Sequence, residues 1–213
     1  MRPSGDVAEY KEYKIPAVLV DCYGSDNSFF YSVRTDDRLG GYLATKHLIE
    51  KGHRNIAIVT GELKENGVNS ERYQGYLDAL KEAGIRPMKK NLFEGYVDYR
   101  YGGEVARSLA KDRRGITAIF ATADITAVGV INGLNQAGIS VPEDISIVGF
   151  DDVEYAQMCY PGLTTIRQNI MEKGRQAARL MIEAAQNHRF PRVERMIPME
   201  LVERGTVKEV YVD

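Results

Sequence analysis

The stretch IAIVTGELKENGVNSERYQGYLDALKEAG, residues 56–84, contains the unit from which the fold is read. Its first six residues, IAIVTG, are apolar or β-branched without alternation, as in a strand covered on both faces. A polar loop with Gly and Asn, ELKENGVNS (62–70), follows. ERYQGYLDALKEAG (71–84) then repeats apolar residues at helical spacing and stops at Gly84. The same unit recurs downstream. LFEGY (92–96) precedes a helical YGGEVARSLAKD (101–112), TAIFAT (117–122) precedes ADITAVGVINGLNQAG (123–138), and ISIVGF (145–150) is a further strand. Strands apolar on both faces and separated by amphipathic helices predict a parallel sheet between two helix layers, with right-handed crossovers.

Working outward, the pattern predicts strands in IPAVLVD (15–21) and FFYSV (29–33) and a helix over 36–52. Beyond the repeat it predicts a strand at TTIRQ (164–168), a long helix over 171–187 and a last strand in MIPMELV (196–202). No internal repeat or low-complexity tract interrupts the chain.

Composition narrows the function classes. Lys and Arg total 28 against 30 Asp and Glu, a formal net charge of -2, so the chain lacks the basic surplus that a nucleic-acid duplex requires. Cys22 and Cys159 are far apart and form no CxxC or Cys/His cluster, which fits a reducing cytoplasm and argues against zinc. His47, His53 and His188 have no ligand-like spacing; His47 and His53 are read as supporting local structure. Ser70 has no GxSxG context, Cys159 has no nearby histidine, and no phosphate-cradling glycine loop is present. No enzyme, cofactor or metal is expected. The charged N-terminus is unlike a signal peptide, and no apolar run has the length of a membrane span.

Open parallel sheets bind ligands beyond the carboxyl ends of their strands. Arg72, Tyr96, Val97, Ala123, Asp124, Asp151 and Asp152 fall at or just past such ends. Adjacent residues at a strand end diverge, so Asp151 and Asp152 do not suit an acid–base pair. Asp151 suits hydrogen bonds from ligand hydroxyl or N–H groups, with a polar strand lip as the plain alternative. Asp152 suits a cap on the following turn. Arg72, expected in the first turn of its helix where the dipole disfavours a cation, offers a fork of donors to a ligand; a surface pairing with Glu71 or Asp78 is the rival reading. The apolar segment YAQMCYPGL (155–163) is either a subunit contact through Tyr155, Met158, Cys159, Tyr160 and Pro161 or packing beneath the sheet.

The strings TDDRLGGYLATKHLIEKGHRNIAIVTG (35–61), RYQGYLDALKEAGI (72–85), TAIFATADITAVGVINGL (117–134) and VPEDISIVGFDDVEYAQMCYPGLTTIRQ (141–168) resemble, in order, the effector-binding core of lactose/galactose-repressor-type transcription regulators. The resemblance runs from about Ile15 to Arg204. It implies a periplasmic-binding-protein-like α/β fold of type I, with two subdomains joined by crossing strands and a small molecule gripped between them. It also implies a cytoplasmic homodimer whose DNA contacts belong to a helix-turn-helix that this chain lacks. On that reading residues 1–34 are a remnant of the N-terminal subdomain with the first crossover. Residues 35–163 are the C-terminal effector-binding subdomain, and 164–213 carry a crossover strand, a helix of the other subdomain and a return strand. Pieces of the other subdomain would expose apolar surface.

Carried over residue by residue, Arg72 and Asp151 fall on effector-contacting positions of the family's motifs, and Asp21 on a crossover aspartate that lines the cleft in some members. Two positions depart. Ala123-Asp124 stands where Asn-Asp is usual, and Val97, with Tyr96 and Tyr99 close by, stands where an aromatic often stacks on the ligand. An asparagine grips vicinal hydroxyls through donor and acceptor together, which Ala123 cannot do. The expectation is a sensor for a small polar effector: a sugar, a sugar derivative or a nucleobase. The rivals are a solute-binding protein of a sugar transporter and a dimerisation module without an effector.

Overall fold

Successive side chains of a strand point to opposite faces, so a strand apolar throughout must be covered on both sides. In β3 (Ile56–Gly61), Ile56 and Ile58 enter one apolar cluster and Ala57 and Val59 another. The computed structural model describes residues 17–23, 31–187 and 193–210. His188, and Ile15, Pro16, Phe29 and Phe30 of the expected strands, lie outside them.

The described residues divide into two compact units. The larger holds 37–65, 69–168 and 199–210; the smaller holds 17–23, 31–36, 66–68, 169–187 and 193–198. In chain order the strands are β1 (Val18–Val20), β2 (Tyr31–Thr35), β3, β4 (Leu92–Gly95), β5 (Ala118–Ala121), β6 (Ser146–Asp151), β7 (Thr164–Gln168), β8 (Glu194–Ile197) and β9 (Met199–Val202). The helices are α1 (Asp37–Glu50), α2 (Val68–Glu82), α3 (Tyr99–Lys111), α4 (Asp124–Gln136), the short α5 (Glu154–Met158) and α6 (Ile170–Asn187).

The larger unit is a six-stranded sheet in the order β4-β3-β5-β6-β7-β9, parallel except for the β7–β9 pair. Val105 and Leu109 of α3 and Val130 and Leu134 of α4 share one cluster with Ala57, Val59 and Ile147. Leu48 of α1 and Tyr76 and Leu80 of α2 share the other with Ile58, Phe120 and Phe150. The mixed α/β architecture, a mostly parallel sheet flanked by helices, is thus the one expected from the repeat. Helices α1 and α2 cross closely: a Cβ on Gly41 would overlap the Arg72 carbonyl, and one on Gly75 would overlap the Arg38 carbonyl. That close approach brings Arg72 near the start of α1.

The smaller unit is a parallel sheet in the order β1-β2-β8, with Tyr31, Val33 and Ile197 packed on Leu180 and Ala184 of α6. Ile170, Met171 and Ile182 of α6 and Met196 of β8 are exposed.

Three local expectations are corrected. Helix α2 begins at Val68 rather than Glu71, because Asn66 turns the chain at φ 57 and the helix starts directly beyond it. Arg72 is therefore the fifth helical residue, and its charge does not stand in the unfavourable first turn. MIPMELV is not one strand: Pro198, which has no N–H to donate, separates β8 in the three-stranded sheet from β9 in the six-stranded one. Asp152 does not cap the next turn. Val153 is the N-cap of α5 and makes no side-chain cap, while its N–H is taken by Asp124.

Candidate functional site

The chain runs from β3 to β4 on one side and returns to β5 on the other, so the order of connection reverses between β3 and β5. A crevice opens beyond the carboxyl ends at such a point. Arg72 occupies it. Its Nε donates to Asp37 Oδ1 at 2.8 Å and its Nη1 to the Thr122 carbonyl, just past β5, at 2.6 Å. The guanidinium carbon lies 3.7 Å from the centre of the Phe150 ring, which removes one face from water. Arg72 and Asp37 side chains are 9% and 0% exposed, so the charge is buried and matched rather than solvated. The surface alternative is overturned: Asp78 is bound by Arg38 at 2.6 and 3.1 Å.

Asp151 ends β6 and approaches the same guanidinium, with Oδ1 3.9 Å from Arg72 Nη1. The same oxygen accepts from the Gln168 amide at 2.6 Å. Asp151 has φ 118 and Asp152 φ 55, two consecutive residues in a region that L side chains rarely adopt. Asp152 is fastened there by two arginines: Arg204 Nη2 reaches Oδ1 at 2.5 Å and Arg167 Nε reaches Oδ2 at 2.6 Å. Burial pushes this carboxyl up, but the hydrogen bonds from Arg204 and Arg167 outweigh it and hold its pKa below the usual carboxylate value. Asp152 is an anchor of the turn.

The other expected residues divide. Ala123 is buried at the N-cap of α4 and supplies no side-chain cap. Val97 lies over β3, since a Cβ on Gly61 would fall 2.6 Å from its Cγ2 and on the Asn69 amide. Tyr96 is 77% exposed. Asp21 belongs to the smaller unit, where its two oxygens each accept from Lys173 Nζ at 2.8 Å. In the segment after β6, Tyr155, Met158 and Tyr160 are exposed, whereas Cys159 packs against the core and its thiol donates to the Ala156 and Pro161 carbonyls. Pro161 is half-buried.

Sequence reasoning missed Asp37, Thr122 and Gln168. An acid in the first turn of a helix is ordinary dipole chemistry, so nothing in TDDRLG marks Asp37 as the partner of an arginine 35 residues later. Asp124 stands out in the sequence only by its position past a strand end. It is fully buried, accepts from Thr165 Oγ1 at 2.6 Å and from the Val153 N–H at 3.0 Å, and burial pushes its carboxyl up to about 7. Among the described residues no cluster of metal-ligating side chains occurs, and no helix is long and apolar enough to cross a membrane.

A family model described as a periplasmic binding protein-like domain matches residues 45–207. The HTH-type transcriptional repressor PurR of Pasteurella multocida is 34% identical over 194 residues, covering 91% of this chain. The chain spans 58% of that relative's length. A LacI family transcriptional regulator from Enterococcus faecium, solved with bound ribose, superposes with a TM-score of 0.86 at 31% identity, over 96% of this chain and 75% of that one. The transcription regulator CcpA of Lactococcus lactis gives 0.85 at 32%, over 95% and 73%.

Proposed function

The chain belongs to the LacI family of transcriptional regulators, a family of regulators rather than enzymes, and from that premise we propose that it senses a small polar effector. The observation that carries this reading is the meeting of Arg72 and Asp151 at the carboxyl rim of the larger sheet, 3.9 Å apart. A carboxylate beside a guanidinium offers acceptor and donor together, which suits vicinal hydroxyls or the edge of a nucleobase. Asp37 already balances the charge of Arg72, and Asp151 adds a negative one, so an uncharged, donor-rich ligand is favoured over a phosphate or carboxylate. Ribose bound to the Enterococcus faecium relative supports the sugar class. Ala123 removes an amide from the rim, which favours a second reading, an interaction module without an effector.

In this reading residues 35–163 form the effector-binding subdomain, Val97 and Tyr96 are candidate further contacts, and the regulator works in the cytoplasm as a homodimer. Tyr155, Met158 and Tyr160, exposed on and after α5, supply the dimer surface, with Pro161 at its edge. Repression of a DNA target belongs to the whole protein. Calorimetry against D-ribose, cellobiose, ribose 5-phosphate, guanine and hypoxanthine tests the sensor. One neutral compound should bind, and Arg72→Ala should weaken it about 10- to 100-fold, the loss of charge-assisted hydrogen bonds. Absence of heat from every compound supports the effector-free module instead.

A further inference from the structure

Between the rim and α5 stands a carboxyl group for which the sensing role has no use. Asp124 is fully buried at the start of α4; its Oδ1 accepts from Thr165 on β7, and its Oδ2 accepts from the N–H of Val153, the N-cap of α5. A Cβ on Gly149 would overlap Oδ1, so β6 presses on the group as well. Only Ala123 separates Asp124 from Thr122, whose carbonyl holds Arg72. The turn Asp151–Asp152–Val153 thus has one carboxylate at the rim, one locked by Arg167 and Arg204, and one N–H tied to Asp124.

We propose that Asp124 is a positioning residue that joins the state of Asp151 at the rim to the start of α5, and that it does so by gaining or losing a proton. The part that concerns ligand rests on the sensor reading above; the part that concerns Asp151 and α5 does not. The titratable groups facing Asp124 are the carboxylates of Asp151 and Asp152 from β6 and the turn, with the neutral Tyr155 and Cys159 from α5 and the residue after it. Arg204 and Arg167 offset the charge of Asp152, while Arg72 Nη1 lies 3.9 Å from Asp151 Oδ1. Burial first, and then these two carboxylates, hold the proton on Asp124 up to about pH 7, against the Thr165 and Val153 hydrogen bonds that favour its loss. A ligand that donates hydrogen bonds to Asp151 draws off its charge and releases the proton. By reciprocity, losing the proton strengthens donors bound at Asp151. The Val153 N–H then faces a full carboxylate, a stronger acceptor than the protonated acid, and Tyr155 and Met158 follow it.

The test needs no ligand. Carboxyl carbon-13 and amide NMR of wild type, Asp151→Asn and Thr165→Val are followed from pH 5 to 9, with Asp124→Asn used to assign the resonance. Asp124 should titrate near neutrality in wild type, with the Val153, Tyr155 and Met158 amides moving at the same midpoint. Asp151→Asn should lower that midpoint, and Thr165→Val, which deletes a donor without changing side-chain volume, should raise it. A midpoint unmoved by Asp151→Asn, or α5 amides that ignore it, overturns the proposal. Calorimetry without heat sinks the sensor reading alone and leaves this coupling standing.

Discussion

At the scale of the residue, the arrangement turns on charges that are buried and answered. Arg72 is answered by Asp37, and cutting either side of a buried pair leaves an uncompensated charge. Asp37→Ala should therefore lower unfolding stability by about 3–5 kcal/mol in urea titrations, a loss out of proportion to one surface-like acid in the sequence. Asp124 contributes with the opposite dependence on pH from a paired carboxylate. Its folded-state pKa, about 7, lies above the unfolded value, so its contribution is full in acid and is lost as pH rises through neutrality. Asp124→Asn should remove that fall, worth about 4 kcal/mol at most from the size of the shift. Arg72 and Asp151 were legible as candidates from their places at strand ends. Their partners were not, because Asp37 lies 35 residues from Arg72, and the arginines on Asp152 lie 15 and 52 residues away. A carboxylate after a strand reads equally as a cap or as an anchor until those partners are folded against it.

At the scale of the element, the strand–helix repeat carried its own evidence, since only a doubly covered strand tolerates Ile56, Ala57, Ile58 and Val59 in a row. Boundaries were less legible. The start of α2 depends on the conformation of Asn66, and the split between β8 and β9 at Pro198 depends on two sheets competing for one apolar run. The end of α1 gives a testable consequence. His47 and His53 are buried there, His53 Nδ1 lying 3.0 Å from Thr117 Oγ1, and burial holds both imidazoles below the usual histidine value. The unfolded chain takes up protons first, so these two contribute stability above about pH 6.5 that is lost as pH falls. With the opposing contribution of Asp124 removed, the urea midpoint of Asp124→Asn measured from pH 7.5 to 5 should drop, and adding His53→Gln should make the drop smaller. Gly41→Ala should cost about 1–3 kcal/mol by pushing α1 off α2, with the Arg72 backbone displaced in the same step.

At the scale of the whole molecule, each unit carries apolar side chains on its surface: Tyr155, Met158 and Tyr160 on the larger, Ile170, Met171 and Ile182 on the smaller. If the first group forms the dimer surface, sedimentation of Tyr160→Asp should show a lighter species than wild type, and identical profiles count against that surface. The claim on which the sensor reading depends is that loops beyond β3, β5 and β6 of the larger sheet grip a small polar molecule. Amide chemical-shift mapping with D-ribose, cellobiose, guanine and hypoxanthine tests it most directly. Saturable shifts gathered at Arg72, Thr122 and Asp151, and abolished together in Asp151→Ala, are the predicted result. Saturable shifts gathered elsewhere, with these three residues unmoved, would contradict it.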